Sequence, residues 1–368
     1  MKGIYYLARL EPDGTSTRLA EMPDFSEPEV GGPDLSLSTD GKRIAFSTLN
    51  HSLYTVNTDG SDLTQVMRND LKVAAGAPLW SPDGTRLAFV GGSSDPRDGL
   101  YVMNVDGANP HRLTPESISV GNDYNLPRWL PNSERLLFVG YDKTKETDYG
   151  NIYIIQANGS DLTCLTCQQS VPEPPCCAWP FELAVSPTGL RVAYRWFDGG
   201  LYVIDMVSLQ PYPVTLSGTQ TVWSLTGQRL AFAGEDKSGS NLFVVNADGS
   251  NRHGLSVPDF FSKPQWSPNG QKIAFRYDTT TFDEPQKQQL AVIHADGTRL
   301  IRLTPDDNLP RRIGDYIWTP DSTQLIFSAA AGSNLVDDTL YRIDADGRDL
   351  TRLTTTPGYK RLVAWLSF

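Results

Sequence analysis

The chain has 368 residues, 39% of them hydrophobic, and its 32 Lys and Arg against 43 Asp and Glu leave a formal net charge of −11. That balance argues against a nucleic-acid partner, whose phosphate backbone is bound by clustered Lys and Arg. No apolar run approaches the roughly 18 residues of a spanning helix, so no membrane span is expected.

Ile4-Tyr5-Tyr6-Leu7 opens the chain as a strand, with the turn Asp13-Gly14 and the short run Arg18-Leu19 behind it. From there one unit recurs, clearest as Trp80-Ser81-Pro82-Asp83-Gly84-Thr85-Arg86-Leu87-Ala88-Phe89, then Leu100-Tyr101-Val102-Met103-Asn104-Val105-Asp106-Gly107, then Arg112-Leu113-Thr114. The Trp80 slot is filled in turn by Leu37, Trp80, Trp129, Val185, Trp223, Trp266, Trp318 and Trp365. Second-strand runs follow it at Arg43–Phe46, Arg86–Phe89, Arg135–Phe138, Arg191–Tyr194, Arg229–Phe232, Lys272–Phe275 and Gln324–Phe327. Proline and Asp-Gly set the turn between first and second strands. The third and fourth strands are joined by Asp59-Gly60, Asp106-Gly107, Asn158-Gly159, Asp248-Gly249, Asp296-Gly297 and Asp346-Gly347, a hairpin signal broken only at Val207-Ser208.

Four short strands in each repeat of about 45 residues predict an all-β chain folded as a β-propeller. Residues 1–368 are read as one domain, with seven full repeats over 35–358 and an eighth, composite blade from 1–34 and 359–368, whose first strand is Leu362 to Phe368. Sharing a blade between the termini leaves no free edge. The alternative is a seven-bladed ring with the termini as extra strands.

These motifs resemble the TolB-like β-propeller repeat family, and the resemblance covers nearly the whole chain. It implies the fold more than the function, because the matching residues are turn formers and core fillers. TolB itself works in the envelope of Gram-negative bacteria and places an α/β domain before six blades. This chain shows no such domain and more repeats, so a literal TolB role is not what the resemblance implies.

Cys164, Cys167, Cys176 and Cys177 all fall in the connection between the third and fourth repeats. Two local disulfides stapling that loop are expected, and hence a periplasmic or extracellular protein whose leader is not part of this sequence. Three connectivities are open, the vicinal Cys176–Cys177 bridge being disfavoured by ring strain. Free thiols and a four-thiolate zinc site are the competing readings. A thioredoxin-like centre is not expected, because its cysteine pair sits at a helix N-terminus and these surroundings are β.

The tight turns fall on one face and the variable second-to-third loops and crossings on the other. Among the loops are Gly91–Gly99, Tyr141–Gly150, Gly234–Ser240 and Tyr277–Gln288, and among the crossings Met22–Pro33, Pro115–Leu126, Gln168–Pro180 and Thr304–Asp315. Recognition is expected on the variable face. The candidate contact residues are Tyr124, Arg128, Trp179, Phe181, Trp196, Phe197, Phe260, Phe261, Tyr277, Phe282, Arg311, Arg312 and Tyr316, since Tyr, Trp and Arg dominate interface energetics. Core packing between blades is the other reading of each aromatic. The repeated Arg43, Arg86, Arg135 and Arg229 are expected to pair locally or face water.

Catalytic signals are sparse. His51, His111, His253 and His294 are scattered over different repeats, no Gly-x-Ser-x-Gly elbow or phosphate loop is present, and the inner-strand acids nearest to a pair are Asp34 and Asp315. The function expected is a noncatalytic interaction module that binds a protein or cell-surface polymer. The alternatives are a polysaccharide lyase or glycosidase at the channel mouth and a structural subunit of a surface assembly. No cofactor is expected, although a channel cation such as calcium, held by backbone carbonyls, stays open.

Overall fold

The computed structural model describes residues 6–10, 16–21, 35–48, 51–67, 72–73, 78–92, 99–120, 127–145, 150–167, 181–196, 199–215, 218–236, 239–255, 257, 264–278, 288–304, 312–330 and 339–354. All regular structure among them is β. Among the described residues seven sheets follow in chain order, each a consecutive meander, after an antiparallel hairpin of Tyr6–Leu10 with Ser16–Glu21. The fold is an all-β propeller. The terminal strand expected over 362–368 and the expected inner-strand acid Asp34 lie outside the described residues.

Repeat 1 pairs Leu35–Leu37, Arg43–Ser47, Leu53–Asn57 and Thr64–Met67. In repeat 2 the first strand is split into Lys72–Val73 and Leu79–Trp80, both paired with Arg86–Gly92, before Gly99–Asn104 and His111–Arg112. Repeat 3 is split the same way, Ile118–Val120 and Arg128–Trp129 both pairing with Arg135–Asp142. Part of the expected crossing Pro115–Leu126 is therefore first strand. Repeats 5, 6 and 7 place their first strands at Thr219–Trp223, Gln265–Trp266 and Arg312–Trp318, and repeat 4 runs Phe181–Val185, Arg191–Arg195, Leu201–Asp205, Pro211–Thr215. The expected loop Gly234–Ser240 is mostly strand too, because pairing continues to Asp236 opposite Gly239.

The chain divides into two compact units, with Met1–Leu10, Ser16–Val185 and Asp205–Pro211 in one, and Glu11–Thr15, Ser186–Ile204 and Tyr212–Phe368 in the other. In the first, one core joins repeats 1 and 2 through Ala45, Leu53, Trp80, Leu87, Phe89 and Met103, and another joins repeats 2 and 3 through Ala88, Val102, Trp129, Leu136 and Phe138. In the second unit, Leu242, Val244, Ile273, Phe275 and Ile293 join repeats 5 and 6, and Ala274, Val292, Trp318, Leu325 and Phe327 join repeats 6 and 7. Alternation along a strand feeds both faces of its sheet, so repeats 2 and 6 each contribute to two cores. Within the sheets, a second-strand ring stacks on its third-strand neighbour, as in Phe46–Tyr54, Phe89–Tyr101, Phe138–Tyr153 and Phe327–Tyr341 with centroids 5.4–5.5 Å apart.

The turns between first and second strands repeat in detail. The N–H of Ser38, Ser81, Ser186, Ser224, Ser267 and Thr319 donates to the carbonyl five residues on at 2.8–2.9 Å. The hydroxyl of Ser81 donates to Asp83 Oδ1 at 2.5 Å and accepts the Arg86 N–H at 2.9 Å, while Asp83 caps the Thr85 N–H at 3.0 Å. A glycine with φ near +70° follows at Gly41, Gly84, Gly189, Gly227 and Gly270. Ser133 and Ser322 replace it, and both turn the substitution to use: Ser133 Oγ accepts the Asp83 N–H and Ser322 Oγ the Asn269 N–H, each at 3.0 Å across to the preceding repeat.

The repeated arginines do not simply face water. Arg43, Arg86 and Arg229 lie over the rings of Trp80, Trp129 and Trp266 of the following repeat, 5.5, 5.2 and 4.8 Å from the centroids. The indole N–H of each tryptophan reaches back in turn, Trp80 to Ser36 O at 3.1 Å, Trp129 to Leu79 O at 3.0 Å and Trp266 to Val222 O at 3.3 Å. A long apolar stem ending in a planar cation suits such a joint. At the other hairpins His111 and His253 each place Nε2 3.2 Å from the next repeat's Ala157 or Ala295 carbonyl, and Tyr212 donates its hydroxyl to Ala247 O at 2.7 Å. These two histidines are structural.

Acid should loosen this scaffold. The carboxyls of Asp40, Asp59, Asp248, Asp296 and Asp321 are held below their ordinary value of 3.8, first by the hydroxyls of Ser38, Ser61, Ser250, Thr298 and Thr319 and then by backbone N–H groups. The folded state therefore binds fewer protons than the unfolded chain, and stability rises with pH. The contribution is complete above the unfolded value and is lost as pH falls through the lower folded values. Urea unfolding followed from about pH 6 to 2.5 should show a steepening loss below about pH 4. Asp321→Asn should flatten that slope; an unchanged slope would remove Asp321 from the account.

Candidate recognition surface

At the strand ends opposite the hairpins, the connections vary from residues 237–238 to 279–287 and 331–338 between paired strands. Tyr124, Trp179, Phe197, Phe260, Phe261, Phe282 and Arg311 lie outside the described residues. Phe181 begins the first strand of repeat 4.

The described candidates divide by burial. Trp196 is 4% exposed and meets Tyr194 edge-on at 5.8 Å, within a turn closed by Trp196 N–H to Gly200 O at 2.9 Å. Tyr277 is 6% exposed; its hydroxyl donates to Gln289 Oε1 and its ring lies 5.8 Å from the Arg302 guanidinium. Tyr316, 5% exposed, packs in the core between repeats 6 and 7. These three rings fill the wedge between strands. Arg312 is exposed at the start of its strand, and Asp315 is exposed three residues on. Arg128 is half-buried on the first strand of repeat 3, donates to Pro127 O at 3.0 Å, and burial lowers its guanidinium from the ordinary value.

The first strands share a polar position, of which the sequence motifs point only to Asp315 among the described residues. The slot three residues before the repeated tryptophan holds Glu182, Gln220 and Asp315 in repeats 4, 5 and 7. Glu182 and Gln220 take φ of 64° and 55°, and the pairing register shifts between Thr219 and Val222 and between Ile313 and Tyr316. Such bulges break the in–out alternation and re-aim the side chain that sits on them. The bulge of repeat 7 is fixed from its neighbour, since Arg276 Nη1 donates to Ile313 O at 2.6 Å and Gly314 O at 3.1 Å. A polar residue recurring at one repeat position was the available signal. Among the described residues, no three His, Cys, Asp or Glu side chains gather as a metal site.

Cys164 is bonded to Cys167, three residues apart, so this bridge does not staple the long connection as expected. It also removes the two connectivities that join this pair to Cys176 and Cys177, which lie outside the described residues.

No family model matches the chain. A TolB homolog from Chlorobium luteolum is 27% identical over 157 residues, 42% of this chain and 31% of that protein. The Tol-Pal system protein TolB of Alcanivorax borkumensis is 30% identical over 86 residues, 23% of this chain and 18% of that protein. Over these stretches the chain's repeats resemble those of TolB. Dipeptidyl-peptidase 5 of Porphyromonas endodontalis matches at 27% over 128 residues, 34% of this chain and 17% of the peptidase, so each curated relative is matched over less than a third of its length. Among solved structures, dipeptidyl peptidase 4 of Porphyromonas gingivalis superposes with a TM-score of 0.63 at 13% identity, over 95% of this chain and 59% of that one. An oligogalacturonate lyase from Vibrio parahaemolyticus gives 0.61 at 12%, over 93% and 97%. At these identities the likeness is one of fold. No helix among the described residues is long and apolar enough to cross a membrane.

Proposed function

We propose that this TolB-like propeller is a noncatalytic recognition module that binds a protein or cell-surface polymer with the strand ends opposite its hairpins, in a periplasmic or extracellular setting. One observation supports the reading above the rest. At the hairpin ends the same polar atoms are consumed, repeat after repeat, by the turns and joints themselves, whereas at the opposite ends chain length and side chains differ from repeat to repeat. Sameness serves a scaffold and difference serves recognition. A disulfide in a chain of this size suits an oxidising compartment.

Because Trp196 and Tyr277 are buried, contact is assigned to Tyr124, Arg311 and Arg312. The test begins with the partner captured by crosslinking in cells and identified by mass spectrometry. Tyr124→Ala with Arg312→Ala should weaken its binding about tenfold or more, since Tyr and Arg anchors carry such contacts. Arg348→Ala, at a hairpin where the side chain is 81% exposed, should leave it unchanged. The reverse pattern would assign recognition to the hairpin ends and overturn the reading.

A further inference from the structure

In four repeats the chain leaves its fourth strand through a Leu-Thr pair that clasps the third strand. The N–H of Leu113, Leu165, Leu303 and Leu353 donates to the carbonyl of Leu100, Ile152, Leu290 and Leu340 at 2.8–2.9 Å. The following Thr114, Thr166, Thr304 and Thr354 hydroxyls accept the N–H of those same third-strand residues at 3.0–3.2 Å. In repeat 3 alone the pair is flanked by cysteines, Cys164 before and Cys167 after, and these are joined. The clasp has the same geometry with and without the bond. The fold therefore does not depend on it.

The two sulfurs are not equivalent. Cys164 is half-buried and packs against the core between repeats 2 and 3, while Cys167 is exposed. The Cys167 backbone N–H donates to Cys164 Sγ at 3.1 Å. In thiol–disulfide exchange the incoming thiolate attacks the accessible sulfur, and the other sulfur leaves with the electron pair, more readily when its negative charge is stabilised. Here accessibility selects Cys167 for attack, and the N–H donor stabilises Cys164 as the leaving thiolate.

We propose that Cys164–Cys167 is an exchangeable disulfide of the folded protein, a site of reversible thiol modification. A thiolate bonds to Cys167 Sγ, the Cys164–Cys167 bond breaks, and Cys164 departs as thiolate. With a dithiol partner, its second thiol resolves the mixed disulfide, leaving Cys164 and Cys167 as thiols and the partner oxidised, two electrons and two protons having passed to the protein. Unlike the thioredoxin arrangement, no helix is involved, and the pair serves as the electrophile.

The test uses folded full-length protein carrying Cys176→Ser and Cys177→Ser, incubated with reduced glutathione at about pH 8 and quenched with iodoacetamide, with wild type treated in parallel. Peptide mass spectrometry should find glutathione on Cys167 and the carbamidomethyl group on Cys164, favoured about tenfold over the reverse. Full reduction by dithiothreitol should move the thermal midpoint by about 3 °C or less, as for a very short closed loop in a large chain. Adducts that form only after urea unfolding, or that fall equally on both sulfurs or mainly on Cys164, would overturn the proposal. So would reduction that unfolds the protein. Should the double serine variant not fold, the wild-type fragment spectra give the same site assignment.

Discussion

Trp129→Ala should lower the unfolding free energy by about 3–5 kcal/mol, the range for removing a large aromatic from a packed core. Trp129 is 9% exposed between repeats 2 and 3, surrounded by Ala88, Val102, Leu136 and Phe138. Its indole N–H holds Leu79 O at 3.0 Å, and Arg86 covers its ring while donating to Ser133 O. The cavity dominates the loss: a hydrogen bond contributes about 1 kcal/mol, and the cation over the ring about 0.5–1 kcal/mol at a partly exposed site. Trp129→Phe separates these, keeping most of the buried area without the donor, and should cost about 1–2 kcal/mol. In the Trp129→Ala background, Arg86→Ala should cost less than it does alone, because its ring partner is already gone. Urea unfolding followed by fluorescence and circular dichroism measures each of these losses. A Trp129→Ala loss below about 1 kcal/mol would show that the repeated tryptophan does not hold adjacent repeats together.

What the sequence revealed of this molecule depends on which end of the strands is considered. Ser81, Asp83 and Gly84 were legible because a turn is a local object, its bonds spanning only a few residues, and repetition turned a weak signal into a strong one. The arginine joints were not legible: Arg86 finds Trp129 across a full repeat, and nothing local distinguishes it from an arginine in water. At the opposite ends, Trp196, Tyr277 and Tyr316 read equally well as contact residues or as core. Their burial is decided by neighbours from other strands, such as Gln289 beside Tyr277, which pairing and packing bring close. The bulge at Gln220 escaped for a related reason, since a register shift is a property of a strand pair and not of one strand's composition.

A glycine pair offers the sharpest test of how closely neighbouring repeats approach. Gly107 and Gly159 occupy one position in consecutive repeats and share a conformation, with φ of +88° and +86°. A side chain at either site incurs the left-handed penalty of about 1–2 kcal/mol, so that cost cancels between them. Their surroundings differ: a Cβ on Gly107 would fall 2.3 Å from the Val66 carbonyl oxygen, whereas on Gly159 the nearest atom, Leu113 O, is 3.6 Å away. Val66 sits on the fourth strand of repeat 1 and packs against the core beneath it, so its carbonyl cannot retreat without moving that strand. Gly107→Ala should therefore cost about 1–3 kcal/mol more than Gly159→Ala, the usual penalty of overpacking. Matched urea midpoints at equal m would measure the difference directly. Equal losses would mean that the joint between repeats 1 and 2 gives way as easily as open space, and the rigid scaffold on which the recognition reading depends would lose its physical basis.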